Sequence, residues 1–156
     1  MSRETLEREI PPGAILVVDS SAVLAYLDAT ESTSAPAAIV FDGFVRPRRN
    51  TALVSAVTVT ETLVRPFGVG NPGAVATVEA FLRHFPNMGI VPLDYDVALE
   101  AARVRAITRL RTSDALIVAT GIVAGASTAI GNDAGWRPAL ESLGKPMTMC
   151  LLSEHT

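Results

Sequence analysis

Apolar residues follow two different patterns along the chain. Short runs that are apolar at nearly every position are typical of strands buried on both faces, as in a parallel sheet. Such runs predict strands at residues 15–18, 52–57, 90–93, 127–131 and 147–152. Pro92 indicates that the strand at 90–93 lies at an edge of the sheet, because proline cannot donate a hydrogen bond to a neighbouring strand.

The segments between the strands repeat their apolar residues with the period of a helix. They predict helices at residues 20–28, 37–45, 58–65, 74–85, 94–110, 114–123 and 136–143. Ser20 or Ser21 is suited to cap the first of these helices, and Thr58 with Glu61 has the form of a capping box. The alternation of strands and helices indicates an α/β protein with a three-layer α/β/α fold, whose central, mainly parallel sheet has four or five strands.

The length of 156 residues fits one domain. We interpret residues 1–13 as an N-terminal tail and residues 14–156 as a single domain, and the charged N-terminus does not resemble a secretory signal. The longest uncharged run, residues 115–132, has 18 residues, fewer than the ~20 that span a bilayer, and it predicts a helix followed by a strand. The single cysteine, Cys150, is predicted to be a core residue, and this cysteine content favours the cytoplasm.

Four acidic residues occupy similar positions relative to the predicted elements. Asp19 and Asp133 directly follow apolar strands, and Glu61 and Asp114 lie in the first turns of predicted helices. Because the carboxyl ends of parallel strands and the starts of the following helices share one edge of a sheet, these carboxylates are expected to converge. Such a group of oxygen ligands favours a hard divalent cation, Mg²⁺ or Mn²⁺.

Each of these acids also has a structural explanation when it is considered alone. Asp19 can cap a helix, Glu61 can pair with Arg65, Asp114 can complement a helix N-terminus, and Asp133 can belong to an ordinary Asn-Asp turn. The joint pattern is what favours a metal site. No histidine or cysteine pattern supports zinc, because the two histidines are isolated and are expected at the surface. They are His84 and His155.

The net charge of −3 does not predict a molecule that attracts polyanions as a whole. Twelve of the 13 basic residues are nevertheless arginine, which matches phosphate geometry better than lysine does. They cluster in two segments, at Arg46, Arg48 and Arg49 and at Arg103, Arg105, Arg109 and Arg111. A solvated helix face with a compositional bias towards arginine is the alternative interpretation.

The glycines at 68, 70 and 73 match the spacing of the dinucleotide-binding fingerprint. That fingerprint has to turn directly out of a buried strand. Here it follows a predicted helix, and Pro72 lies within it. We therefore interpret this segment as a loop between two helices.

The four acids stand in short stretches that resemble those of the PIN-domain ribonucleases and, more narrowly, of the VapC-type toxins of toxin–antitoxin pairs. The stretches are Val-Val-Asp19-Ser-Ser21, Val-Thr-Glu61-Thr-Leu, Arg-Thr-Ser-Asp114-Ala-Leu-Ile and Gly-Asn132-Asp133-Ala-Gly-Trp136. The resemblance covers about residues 14–152. It implies that Asp19, Glu61, Asp114 and Asp133 bind metal and act in catalysis, with Ser21 and Asn132 in support.

The resemblance further implies cleavage of RNA by a Mg²⁺- or Mn²⁺-dependent endoribonuclease of a type II system, a homodimer, and inhibition by a small VapB-like antitoxin. Candidates for RNA contact are Arg46, Arg48, Arg49, Arg105 and Arg109. The chain departs from the family pattern in its long leader, in Gly131, where threonine or serine is common, and in Trp136, where phenylalanine is usual. None of these departures removes a predicted ligand.

Two alternatives remain at this point. One is a module of the same fold that binds RNA or protein without turnover. The other is an aspartyl-nucleophile phosphatase, which resembles the haloacid dehalogenase family. That family requires a second aspartate where this chain has Ser21.

Overall fold

A computed structural model describes residues 2–144 and 147–156 of the chain. Within these residues, five strands form one sheet in which every neighbouring pair is parallel. The strands are β1 (Ile15–Val18), β2 (Thr51–Ser55), β3 (Met88–Val91), β4 (Thr128–Gly131) and β5 (Thr148–Leu151). Their spatial order is β3-β2-β1-β4-β5, so β1 is central and β3 is an edge strand, as Pro92 indicates.

Helices connect the strands on both faces of this sheet. They are α1 (Ser2–Glu9), α2 (Ser20–Leu27), α3 (Ser34–Ala38), α4 (Ala56–Gly68), α5 (Pro72–His84), α6 (Tyr95–Thr108), α7 (Thr112–Val123) and α8 (Trp136–Ser142). A π-helix (Ile39–Val45) continues α3, and a 3-10 helix (Leu152–His155) follows β5. No helix in the described part of the chain is long and apolar enough to cross a membrane.

The side chains of β1 alternate between two apolar clusters, because successive residues of a strand point to opposite faces. Leu16 and Val18 belong to a cluster with residues of α1, α2, α5 and the π-helix. Val17 belongs to a second cluster with residues of α6, α7 and α8. The predicted three-layer α/β/α fold with a parallel central sheet is thereby confirmed.

The interpretation of residues 1–13 as a tail is wrong for residues 2–10. Residues 2–9 form α1, and Leu6 and Ile10 are completely buried in the first apolar cluster. The two side chains are four residues apart, and this spacing places both on one face of the helix. Met1, and residues 145–146 of the predicted domain, lie outside the described residues.

The start of α4 differs from the prediction. β2 ends at Ser55, and Ser55 Oγ caps α4 by accepting a hydrogen bond from Val57 N at 3.2 Å. The predicted capping box is therefore wrong, since Thr58 already lies inside the helix. The helix also continues beyond Pro66 to Gly68. The glycine-rich segment connects α4 to α5, as predicted, and the uncharged run 115–132 contains most of α7 and all of β4.

Candidate active site

Asp19 directly follows the central strand β1 and is 7% exposed. It is the N-cap of α2, because Asp19 Oδ2 accepts hydrogen bonds from Ser21 N at 3.4 Å and from Ser21 Oγ at 2.7 Å. The structural explanation considered for Asp19, that it caps a helix, is therefore confirmed, and the suggestion that Ser20 or Ser21 is the cap is wrong. The other carboxylate oxygen, Asp19 Oδ1, has a longer contact of 3.4 Å with Ser20 Oγ.

Glu61 reaches the same place from α4. It lies in the second turn of that helix, not in the first, because α4 begins earlier than predicted. Ser20 Oγ donates a hydrogen bond to Glu61 Oε1 at 3.1 Å and is also the hydroxyl beside Asp19 Oδ1. Ser20, which the sequence analysis considers only as a cap, thus bridges two of the predicted metal ligands.

Asp114 and Asp133 come from two further elements, α7 and the loop after β4. Asp114 lies in the first turn of α7, is 8% exposed, and accepts a hydrogen bond from Arg111 Nε at 3.3 Å. Asp133 follows β4 and is exposed, and its Oδ1 accepts a hydrogen bond from Gly135 N at 2.9 Å. The turn expected for Asp133 is therefore present.

Ser21 ties the loop after β4 to the loop after β1. Its Oγ donates to Asp19 Oδ2 and accepts a hydrogen bond from Asn132 N at 3.0 Å. Asn132 Nδ2 donates to Thr33 Oγ1 at 3.1 Å, whereas Asn132 Oδ1 is buried without a hydrogen-bond partner among the described residues. The absence of a side chain at Gly131 permits this proximity, since an added Cβ would lie 3.1 Å from Asp19 Cβ.

All four acids line one cavity of about 490 Å³, together with the predicted supporting residues Ser21 and Asn132. Its remaining lining residues are Ser20, Leu24, Arg111 and Ala134. Arg111 is the basic side chain among them. From the sequence, Arg111 is recognised only as a member of the second arginine cluster, because its position beside the acids depends on the tertiary fold.

Burial sets the electrostatics of this cavity. It raises the pKa of Asp19 above its ordinary value, against the hydrogen bonds from Ser21 and Ser20, and the charge of Asp114 adds to the rise. Burial also raises the pKa of Glu61, and the charges of Asp19 and Asp114 add to it. The positive charge near Asp19 and Glu61 is therefore too small to offset the effect of burial on their ionised forms.

The donor set fits a hard divalent cation. Each acid offers carboxylate oxygens, which Mg²⁺ and Mn²⁺ prefer, and the cation would offset the negative charge that adds to burial in raising the two pKa values. No three of the four acids, all of which are described, bring their oxygen atoms within 4.8 Å of one another. Mg²⁺ usually keeps several water ligands, and through these it can interact with carboxylates at such a spacing.

The predicted RNA-contacting arginines are divided between different places. Arg46, Arg48 and Arg49 precede β2 and therefore lie at the sheet edge opposite the acids, since all strands are parallel. Arg46 also pairs with Asp42 at 3.1 Å. These three arginines are therefore separated from the acidic cavity, because the basic segment leads into a strand instead of following one, and their contact with RNA stays a prediction.

Arg105 and Arg109 lie at the C-terminal end of α6. Arg105 Nε donates a hydrogen bond to Leu110 O at 2.9 Å, and Arg109 ends the helix in a left-handed conformation with φ of 61°. Both line a separate cavity between α6 and α7. Among the clustered arginines, only Arg111 lines the acidic cavity.

With the parallel α/β fold and its acidic cavity established, comparison with protein families assigns the chain to a class. The family model described as the PIN domain matches residues 16–138, and the chain belongs to the PIN-domain family. Among curated proteins, a sequence search finds no match.

Solved structures of toxin–antitoxin proteins share this fold. VapBC2 from Rickettsia felis, bound to a DNA fragment from its promoter, is similar with a TM-score of 0.68 and 11% identity over 88% of this chain and 98% of that chain. FitAcB from Neisseria gonorrhoeae has a TM-score of 0.66 and 19% identity over 89% and 98% of the two chains. VapC20 from Mycobacterium tuberculosis, described as a toxin that cleaves the sarcin–ricin loop, has a TM-score of 0.65 and 19% identity over 81% and 95%.

Proposed function

We propose that this PIN-domain chain is a Mg²⁺- or Mn²⁺-dependent endoribonuclease and the toxin of a VapBC-like type II pair. The observation that carries the proposal is the cavity in which carboxylates from four separate segments converge. They are Asp19, Glu61, Asp114 and Asp133. A divalent cation bound there would polarise a phosphodiester and activate a water molecule for its hydrolysis.

The chain's own residues have distinct roles in this proposal. Asp19 and Glu61 hold the cation from one side, and Ser20 fixes their relative position through its hydroxyl group. Asp114 holds it from α7, while Arg111, which is paired with Asp114 at 3.3 Å, lies where it can contact the phosphate backbone. Asp133 is exposed and belongs to a turn, so it contributes at the open side of the cavity.

The expected test compares two aspartates that both cap helices. Asp19→Asn keeps a capping side chain but removes a charged ligand, and Asp94→Asn makes the same change at the N-cap of α6, outside the cavity. We expect Asp19→Asn to abolish Mg²⁺-dependent RNA cleavage and Asp94→Asn to retain it. RNA binding that is unaffected by EDTA, without cleavage in Mn²⁺, would instead favour the non-catalytic module.

The proposed VapB-like antitoxin would bind beside this cavity. A second cavity of about 550 Å³ between α2, α4 and α5 shares Leu24 and Glu61 with the acidic cavity. Two apolar side chains that line this second cavity, Leu24 and Val69, are 42% and 69% accessible. An amphipathic antitoxin helix would bury these side chains and bring a basic residue to Glu61. The variant Val69→Asp should weaken toxin–antitoxin binding and leave RNA cleavage intact, whereas unchanged binding would exclude this surface.

A homodimer is also part of the proposal, by resemblance to the family. The observable consequence is a molar mass near twice 16.4 kDa in light scattering. A monomer at all concentrations would refute this part alone.

A further inference from the structure

A second group of ligand-forming side chains lies away from the acidic cavity. Glu9, Cys150 and His155 each offer one ligand atom, and these three atoms all lie within 4.8 Å of one another. Cys150 and His155 are 1% and 4% exposed, whereas the Glu9 side chain is 38% accessible. The expectation that His155 is a surface residue is therefore wrong, because the 3-10 helix after β5 turns it inward against α1.

The hydrogen bonds around His155 direct one ring nitrogen towards the other two side chains. Thr5 Oγ1 donates to Ser2 O at 3.0 Å, so towards His155 its oxygen acts as the acceptor of a hydrogen bond from His155 Nδ1–H at 2.7 Å. With the proton on Nδ1, His155 Nε2 presents a lone pair. That lone pair faces Glu9 Oε1 at 3.3 Å and Cys150 Sγ at 3.8 Å.

A positive charge between these atoms would stabilise the two electron-rich side chains that face the lone pair. A proton on Nε2 would supply it, but charge-assisted N–H···O bonds are usually about 2.7–2.9 Å long. A tetrahedral zinc ion with bonds of about 2.0–2.3 Å would separate its nitrogen and oxygen ligands by roughly 3.4 Å and its nitrogen and sulfur ligands by roughly 3.6 Å. The observed distances of 3.3 and 3.8 Å are closer to the edges of such a tetrahedron.

The ligand atoms of Glu9, Cys150 and His155 favour one type of cation. Thiolate and imidazole ligands favour zinc and similar transition metals over Mg²⁺, which prefers oxygen. Thiolate, carboxylate and neutral imidazole carry two negative charges in total and would neutralise a divalent ion. The nearby Arg137 does not disturb this balance, because it forms an ion pair with Glu154 at 2.7 Å.

We propose that Glu9, Cys150 and His155 form a structural binding site for a divalent transition metal of the zinc type, which fastens α1 to the C-terminal 3-10 helix. Thr5 orients the histidine from behind, as the outer partner of a metal ligand typically does. The exposed side of Glu9 leaves room for water as a fourth ligand. None of the three ligands lines the acidic cavity, so this site is separate from the proposed catalytic centre.

Burial raises the pKa of the Cys150 thiol, so the metal-free protein holds this sulfur protonated. Metal binding replaces that proton with the metal–sulfur bond and releases the proton to solvent. The metal supplies no electrons, and no bond of the chain is broken.

Titration of the full chain with Co²⁺ tests the site directly, because sulfur-to-cobalt charge transfer can come only from the single cysteine. The carboxylates of the acidic cavity give no such absorption, so binding there is not mistaken for this site. We expect the absorption to saturate at one equivalent and to disappear when Zn²⁺ displaces Co²⁺. At a free Zn²⁺ concentration of 100 times the Kd, the unfolding equilibrium constant should fall about 100-fold.

Matched variants on α1 separate the metal site from a simple ion pair. Glu9→Gln removes a ligand and should weaken Co²⁺ binding at least tenfold, on the order seen when metal sites lose a supporting partner. Glu7→Gln changes an exposed glutamate of the same helix, which pairs with Arg3 at 2.9 Å, and should leave Co²⁺ binding unchanged. Neither variant should alter Mg²⁺-dependent RNA cleavage.

Two results would overturn the proposal. One is a folded native chain that gives no sulfur-to-cobalt absorption and has the same melting temperature with Zn²⁺ as with EDTA. The other is a Glu9→Gln variant that binds Co²⁺ as tightly as the native chain does. In either case, the contact between Glu9 and His155 is an ion pair without metal.

Discussion

The close approach of α7 to β1 is the contact that sets the width of the acidic cavity. Gly121 lies seven residues after Asp114, on the same face of α7, and Val17 lies two residues before Asp19, on the same face of β1. A Cβ added at Gly121 would lie 2.7 Å from Val17 Cγ1 and 3.0 Å from Val17 Cβ. The variant Gly121→Ala should therefore push the two acidic residues apart.

The expected loss of stability follows from these distances. Carbon atoms pack best about 3.5–4.0 Å apart, so the added methyl group overlaps Val17 by roughly 0.5–1 Å. A side-chain rotation cannot move Val17 Cβ away, and β1 is held between two strands. Overpacking of about 3 kcal/mol, less the ~1 kcal/mol that alanine gains over glycine in a helix, leaves a destabilisation of about 2 kcal/mol. For a chain of this size, this lowers the melting temperature by about 4–8 °C.

Thermal unfolding of a double-mutant cycle measures this contact. Val17→Ala removes the methyl group that the new Cβ meets at 2.7 Å but keeps Val17 Cβ at 3.0 Å, so Gly121→Ala should cost less in that background without becoming neutral. The control Gly68→Ala, where an added Cβ meets nothing within 4 Å, should not destabilise the chain, because alanine is favoured over glycine in a helix and no overpacking opposes it there. Under the proposed function, Gly121→Ala should also slow RNA cleavage on the order of tenfold, because catalytic groups tolerate little displacement. Equal costs of Gly121→Ala with and without Val17 would refute the reasoning.

Three further outcomes are expected. The pKa of Asp19 is raised in the folded state, so the folded chain binds a proton at this carboxyl group more tightly than the unfolded chain does. The contribution of this proton to the free energy of unfolding is fully present below about pH 4 and is lost as the pH rises through the folded pKa. Metal-free Asp19→Asn should therefore melt at a higher temperature than the native chain at pH 7, and an equal or lower value would contradict this. Mg²⁺ should raise the melting temperature of the native chain more than that of Asp19→Asn, and EDTA should reverse the difference. Asn50→Ala should lower the free energy of unfolding by about 1–3 kcal/mol in denaturant, because Asn50 Nδ2 donates to Pro11 O at 2.8 Å and to Ala14 O at 2.9 Å. A smaller loss would show that these carbonyl groups find other partners.

The positions of the acids after β1 and β4 and at the start of α7 could be predicted from sequence because the rule behind them is topological. In a parallel sheet every strand ends at the same edge, so strand order does not have to be known. Asp19 and Asp133 follow this rule directly, and Asp114 follows it indirectly, because α7 leads back into the start of β4. Glu61 does not, since it lies in the second turn of α4 and reaches the cavity through the length and direction of its side chain.

The features that sequence reasoning missed depend on contacts between distant segments. The bridging hydroxyl of Ser20 has a meaning only when α4 packs beside α2. The burial of α1 depends on a surface that the π-helix and the 3-10 helix complete. His155 appeared isolated because Glu9 and Cys150 are brought to it by the two ends of the chain. Local periodicity carries no information about any of these contacts.

Asp19 combines a structural role with the proposed catalytic one by dividing them between its two oxygen atoms. Oδ2 is occupied by the backbone and the hydroxyl of Ser21, at 3.4 and 2.7 Å. Oδ1 has a longer contact of 3.4 Å with Ser20 Oγ, whose hydroxyl lies closer to Glu61, so its lone pairs are more available to a cation than those of Oδ2. In Asp19→Asn, the two Ser21 donors select the amide oxygen for the Oδ2 position. The amide nitrogen then takes the place of Oδ1 and directs hydrogen atoms towards the cation position. The same substitution therefore preserves the helix cap and abolishes the ligand, which makes lost cleavage in a stably folded Asp19→Asn variant the sharpest evidence for a metal at this oxygen.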